Sequence, residues 1–218
     1  PLNTDHTANL ARLYNVWANI STDPALMLER AGMAEAYFQQ ALMLSPKNAR
    51  LWNEWAMLYL NVLKQPERAY DCIQTALELD PSYDWSYALL GDYYSRVASS
   101  QPPGTPSQIE AFQDAADAYQ NALKIAGADS AHLRFSYALA LGSIQTQLGQ
   151  WEQAYQSFSL ALGFAQPGEQ WRAFEALARL SYQTGDRTRA LEYANQAISN
   201  APEDVQERLR QLVADISG

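Results

Sequence analysis

Alanines spaced seven residues apart recur five times along the 218-residue chain, and no other feature constrains its fold as strongly. The pairs are Ala34/Ala41, Ala69/Ala76, Ala115/Ala122, Ala154/Ala161 and Ala190/Ala197. Residues seven apart lie on one face of an α-helix, two turns from each other, and small side chains there let a neighbouring helix approach closely. Four residues after the first alanine stands Phe38, Ile73, Tyr119 or Phe158, large enough to fill the groove so formed; the last copy has Ala194. Five residues after the second alanine comes a breaker: Pro46, Pro81, Gly127, Gln166 followed by Pro167, or Pro202. Proline stops a helix there because it lacks an N–H and its ring clashes with the preceding turn.

Upstream of these stretches lies a partner signature, clearest at Trp52-x2-Trp55-Ala56-x2-Tyr59 and Tyr87-x2-Leu90-Gly91-x2-Tyr94, and looser at Ala138-x2-Leu141-Gly142. A large residue followed by glycine or alanine gives an apolar stripe with a notch for close packing. The two-part pattern resembles the tetratricopeptide repeat family, whose unit runs W-x2-L-G-x2-Y, then A-x3-F-x2-A, then P over about 34 residues. The resemblance covers nearly the whole chain. It implies an all-α fold, a right-handed superhelical solenoid of five tetratricopeptide helix pairs in a single domain over residues 1–218. The repeats fall at about 4–48, 49–83, 84–129, 135–168 and 171–204. A last amphipathic stretch at 204–217, with Val205, Leu209, Leu212, Val213 and Ile216 at helical spacing, reads as the capping helix a solenoid needs. The expectation is eleven helices and no sheet.

Departures from the repeat length locate decorations. Eleven extra residues fall between the helices of repeat one, one in repeat two and twelve in repeat three. In repeat one, Asp23-Pro24 reads as a cap followed by the first helical position, which would put Gly32 inside the helix. In repeat three, Ser99 to Gly104 reads as a protruding loop, with Thr105-Pro106-Ser107-Gln108 as a capping box.

Composition narrows the function. The chain carries 24 acidic and 15 basic residues, a net charge of −9, which argues against a nucleic-acid partner because binding phosphates needs a basic field. The acidity is uneven, at −1 for residues 1–49, −5 for 50–128 and −3 for 129–218. No run approaches the ~18 apolar residues of a membrane span, so this segment is expected not to insert into a membrane. Catalytic and metal patterns are missing as well. His6 and His132 have no metal-spaced partner, and Gly163 to Gly168 has the spacing of a phosphate loop but continues with Glu169 and Gln170. The lone Cys72 reads as a packed thiol, and Trp52, Trp55, Tyr59, Tyr87 and Tyr94 as core. The reading is a chain that is not an enzyme and uses no cofactor.

The family resemblance implies a concave groove lined by the first helix of each repeat, and its slots can be carried onto this chain. They include Arg12, Asn15, Asn53, Met57, Asn61, Trp85, Asp92, Arg96, Gln147, Arg172, Arg179 and Tyr182. Asparagine and arginine at successive turns suit an extended peptide backbone or a carboxylate. Trp85 reads as an exposed aromatic anchor, and Arg172 with Arg179 as a local electropositive patch. The alternative for those two is an ion-pair ladder with Glu175. The lysine positions of the chaperone-tail carboxylate clamp hold Ala8, Asn53 and Ala88, so that assignment is rejected. The implied function is a protein–protein interaction scaffold binding a peptide segment or partner domain in the groove, with self-association as a further possibility.

A second resemblance concerns residues 1–14, which look like the junction before the tetratricopeptide tail of bacterial O-antigen ligase/polymerase-like membrane proteins. It implies an alternative, the soluble accessory domain of a membrane glycosyltransferase whose catalytic part is absent from this chain. The start at Pro1 without a Met fits a fragment or processed chain, and equally an arbitrary chain boundary; the second resemblance implies a tether to a bacterial membrane through a missing N-terminal region. The sequence itself leaves the compartment open.

Overall fold

A computed structural model describes residues 3–218; Pro1 and Leu2, the first two residues of the junction-like stretch, lie outside the described residues. Among the described residues there are eleven α-helices and no strand: α1 (Thr4–Asn19), α2 (Pro24–Leu44), α3 (Ala49–Leu58), α4 (Pro66–Leu79), α5 (Asp84–Ser100), α6 (Pro106–Ile125), α7 (Ala131–Gln147), α8 (Trp151–Phe164), α9 (Gln170–Gln183), α10 (Arg187–Asn200) and α11 (Glu203–Ser217). The chain divides into two compact units, residues 1–93 and 94–218.

All ten paired alanines have no solvent exposure. Each helix carrying them ends two residues before its breaker, at Leu44, Leu79, Ile125, Phe164 and Asn200. The periodicity and the missing proline N–H therefore set both the buried face and the length of these helices. In the first unit α1 packs on α2, α2 on α3 and α3 on α4, and α1 also touches α3. Their core centres on Phe38, Leu51, Leu58, Tyr59 and Ile73, with the Trp55 ring stacked between those of Phe38 and Tyr59. In the second unit α6 to α11 pack each on the next, and α7 also touches α9. There Gly142 is the notch: a Cβ on it would lie 2.6 Å from two ring carbons of Phe158. Cys72 is buried, and burial pushes its thiol up to about 12, so it is an inert packing residue.

The extra residues of repeats one and three mostly lengthen helices. The helix α2 starts at Pro24, capped by the Asp23 carboxylate at 2.8 Å from the Ala25 N–H, and runs 21 residues. Gly32 is tolerated inside it because it faces open space. The expected protruding loop is smaller than the spacing suggested, because α5 continues through Ser100 and leaves only residues 101–105 between helices. Hydroxyls of Ser99 and Ser100 bond back to the carbonyls of Ser95 and Val97, which satisfies the end of that helix. Thr105 caps α6 as expected, accepting from the Gln108 N–H, while the Gln108 side chain accepts from Gly104 N–H instead of from Thr105. The single extra residue of repeat two coincides with a π-helical turn, Tyr59–Leu63, at the end of α3. Lys64, at φ 53°, then takes the left-handed conformation, and its N–H bonds to the Tyr59 carbonyl.

Candidate functional site

The helix α9 positions half of the polar side chains that converge on one surface. Its buried face, Ala173, Leu177, Ala178, Leu180 and Ser181, fixes its rotation against its neighbours. That leaves Arg172, Glu175, Ala176, Arg179 and Gln183 toward α7, whose own Ser143, Thr146 and Gln147 face them. Two adjoining clefts of about 230 Å³ each result. One is lined by Thr146, Gln147, Phe158, Leu180 and Gln183, the other by Leu139, Trp171, Arg172, Glu175 and Arg208, and both share Ser143, Ala176 and Arg179.

Glu175 organises the basic end of this surface. Its carboxylate accepts from Arg179 Nε at 3.1 Å and Nη2 at 3.0 Å, and from Arg208 Nη2 at 2.7 Å and Nη1. Its side chain is 13% exposed, whereas those of Arg179 and Arg208 are 55% and 51% exposed. Burial acts to raise the Glu175 pKa, but hydrogen bonds from Arg208 and Arg179 outweigh it and hold the carboxyl below its ordinary value. The ion-pair ladder read from the sequence is thus half present. Arg179 and Glu175 form it, while Arg172 lies over the Phe135 ring, 5.4 Å from its centroid. The unforeseen member is Arg208, supplied by α11 from 33 residues further along the chain. Its only sequence signal is its place beside the apolar stripe of α11, since nothing local says which helix that stripe docks on.

A pH test follows from the Glu175 geometry. A depressed native pKa contributes stability fully above the ordinary glutamate value of 4.5 and loses it as pH falls through the native value. Wild type should exceed Glu175→Gln by about 1 kcal/mol at pH 7, the half-exposed arginines being screened by solvent. Denaturant unfolding should show that gap close in acid; a gap that persists at pH 3 would trace the effect to shape, not charge.

The remaining predicted site residues scatter. Arg12 on α1 bonds Glu54 Oε2 and Asn9 Oδ1 at 2.9 and 2.8 Å, and Arg50 holds the other oxygen of the buried Glu54. Asn53 is fully buried and donates to Ser86 Oγ at 2.7 Å, so it is not presented on a surface. Met57 and Trp85 are half-buried against the first core, and Trp85 meets Tyr83 edge-on, so it is not a freely exposed anchor. Asn15 and Asn61 are half-buried, and Asp92 and Arg96 are exposed, on α1, the π turn and α5. Of the twelve, the clefts bring together Gln147, Arg172 and Arg179; Tyr182 stands 44% exposed on the same helix as the two arginines.

His132, which has no metal-spaced partner in the sequence, pairs with Glu169 at 2.5 Å. Burial acts to raise the pKa of Glu169, but hydrogen bonds from the Gln166 N–H and His132 outweigh it and leave the carboxyl below its usual value. A wider cleft of about 820 Å³, unforeseen from the sequence, lies in the first unit between the segments 45–50 and 79–83. Its charged groups, Lys47, Arg50 and Asp80, are of mixed sign, and Arg50 is already committed to Glu54. Among the described residues no three His, Cys, Asp or Glu side chains are grouped to hold a metal ion, and no helix is long and apolar enough to cross a membrane.

Comparison with known proteins agrees with the helix pairing. Residues 172–204 match the family model described as tetratricopeptide repeat. No curated protein matches the chain in sequence. Among solved structures, the chain is similar to TTC0263, a thermophilic TPR protein in Thermus thermophilus, with 22% identity, 99% of each chain covered and a TM-score of 0.68. It is similar to PilW, a widely conserved type IV pilus biogenesis factor, with 20% identity over 99% of this chain and 86% of that one and a TM-score of 0.70. It is also similar to YrrB, described as a TPR protein with an unusual peptide-binding site, with 18% identity over 99% and 92% and a TM-score of 0.62. Buried alanine pairs, helix order and these likenesses agree: the chain has the fold of tetratricopeptide-repeat proteins, and its residues 172–204 match the family model.

Proposed function

We propose that the chain is a non-enzymatic interaction scaffold of five tetratricopeptide repeats over 4–204, and that the α7–α9 surface holds a peptide segment of its partner. The observation that carries this reading is the pair of adjoining clefts, in which Ser143, Thr146, Gln147 and Gln183 offer hydrogen-bonding groups beside apolar Phe158 and Leu180. Such a lining suits an extended backbone, whose N–H and C=O groups need partners at every residue. The repeat fold supports a protein or peptide ligand over a small metabolite, because a stacked array presents extended binding surface instead of an enclosed pocket. The identity of the partner belongs to surface residues that vary on a constant core.

Ser143 tests the reading because it is exposed and borders both clefts. Ser143→Trp would fill them from the solvent side while leaving every core side chain in place. Peptides captured from a random array by the wild-type chain should lose at least about tenfold in affinity for this variant, the scale of a buried contact cluster. Equal binding by both proteins, with matched circular dichroism, would move the site elsewhere.

A further inference from the structure

The basic end of the α7–α9 surface has a chemistry of its own. Arg172 and Arg179 from α9 and Arg208 from α11 line one cleft with a single carboxylate, Glu175, among its lining residues. We propose that this cleft takes an acidic peptide segment, and that α11 completes the site by supplying Arg208 in addition to capping the array. The proposal rests on peptide binding at the α7–α9 surface.

Glu175 lies beneath the two guanidiniums it binds, which remain half exposed. Arg179 spends Nε and Nη2 on it, and Arg208 spends Nη1 and Nη2. An arginine carries five N–H donors in a fixed fork, so Arg179 Nη1 and Arg208 Nε keep donors for a second acceptor. The two-pronged grip of Arg208 on Glu175 shows that a carboxylate fits this guanidinium in the geometry that makes such pairs strong.

Arg172 takes no part in that pairing. Its guanidinium rests over the Phe135 ring, and the nearby Glu169 carboxylate is occupied by His132 and the Gln166 N–H. Three cations line this cleft with one largely covered carboxylate, and Glu169 beside Arg172 offsets only part of their charge, which leaves a locally positive spot on a chain of net charge −9. Field lines from such a spot favour an anionic ligand and repel a basic one. Arg208 is further steadied by Trp171, whose ring centroid lies 5.8 Å from its guanidinium carbon, so less side-chain freedom is lost on binding.

The test is fluorescence anisotropy with a labelled hexaglutamate peptide, free at its C-terminus in one arm and amidated in the other, against hexaglutamine and hexalysine. Glutamate probes should bind and the two controls should not, with affinity falling as salt rises. Retention by the amidated probe assigns the contact to side-chain carboxylates, and its loss assigns it to the chain terminus; both outcomes support the site. Arg172→Gln and Arg208→Gln should each weaken binding at least about fivefold, with Arg208→Lys intermediate because it keeps the charge and loses the fork. Arg172→Gln leaves the Glu175 pairing intact, so its effect is readable even if Arg208→Gln loosens α11. Loss with Arg172→Gln but none with Arg208→Gln in a folded protein would overturn the role of α11. Absence of any preference for glutamate, while array peptides still depend on Ser143, would overturn the acidic ligand and leave the peptide-binding reading standing. Array peptides indifferent to Ser143→Trp would remove the cleft itself.

Discussion

Phe38→Ala is expected to cost about 3–5 kcal/mol, enough to remove much of the stability of a domain this size. Phe38 has no solvent exposure, lies midway between Ala34 and Ala41, and stacks its ring at 6.5 Å on that of Trp55. Truncation would remove its dispersion contacts and leave a cavity whose walls, held by α2, α3 and α4, can close only partly. Urea unfolding would measure the loss. Amide exchange should place it in residues 3–93, the unit whose core the ring anchors. A change below about 1 kcal/mol would mean that the small alanine face, not the large residue between the alanines, holds this helix pair together.

Gly142→Val is the opposite perturbation in the second unit, and about 2–3 kcal/mol should be lost through overpacking. Even the first added carbon would sit 2.6 Å from the Phe158 ring, and that ring is 4% exposed and packed by Ala154, Leu177 and Leu180. It cannot swing away without displacing α9. Pairing the change with Phe158→Leu, which gives room back, should recover at least about 1 kcal/mol in a double-mutant cycle. Strict additivity of the two changes would show that valine is accommodated by backbone movement and that Gly142 is not a contact notch.

These two positions mark what could be read from residue spacing alone. The alanine periodicity and the breakers operate over single helices, so the buried faces and the ends of α2, α4, α6, α8 and α10 follow from short-range pattern. The site was less legible, since the family slots describe rotation about a helix and not what the neighbouring turn covers. Asn53 occupies such a slot, yet its amide is spent on Ser86, and Trp85 is covered on one side by the Tyr83 ring. Arg208 lay outside every slot because its role depends on where α11 docks, which no local pattern encodes. The additional residues of repeats one and three could be counted but not assigned to loop or helix. Gly32 and the serines at 99 and 100 are weak breakers that the helices simply absorb.

The π turn at Tyr59–Leu63 bears on how such an array tolerates change over evolutionary time. One residue added to an ordinary α-helix rotates everything after it by about 100°, turning core positions toward water. A π turn confines that rotation to one wider loop of backbone, and the left-handed Lys64 ends the helix directly after it. Upstream of the turn, Trp55 and Leu58 keep their buried places, and downstream Ala69 and Ala76 keep theirs. A codon inserted at this point would alter the spacing of one copy while leaving its flanking copies in phase. A repeat array can therefore accommodate a change of one residue in unit length at a helix end without turning its core faces toward water.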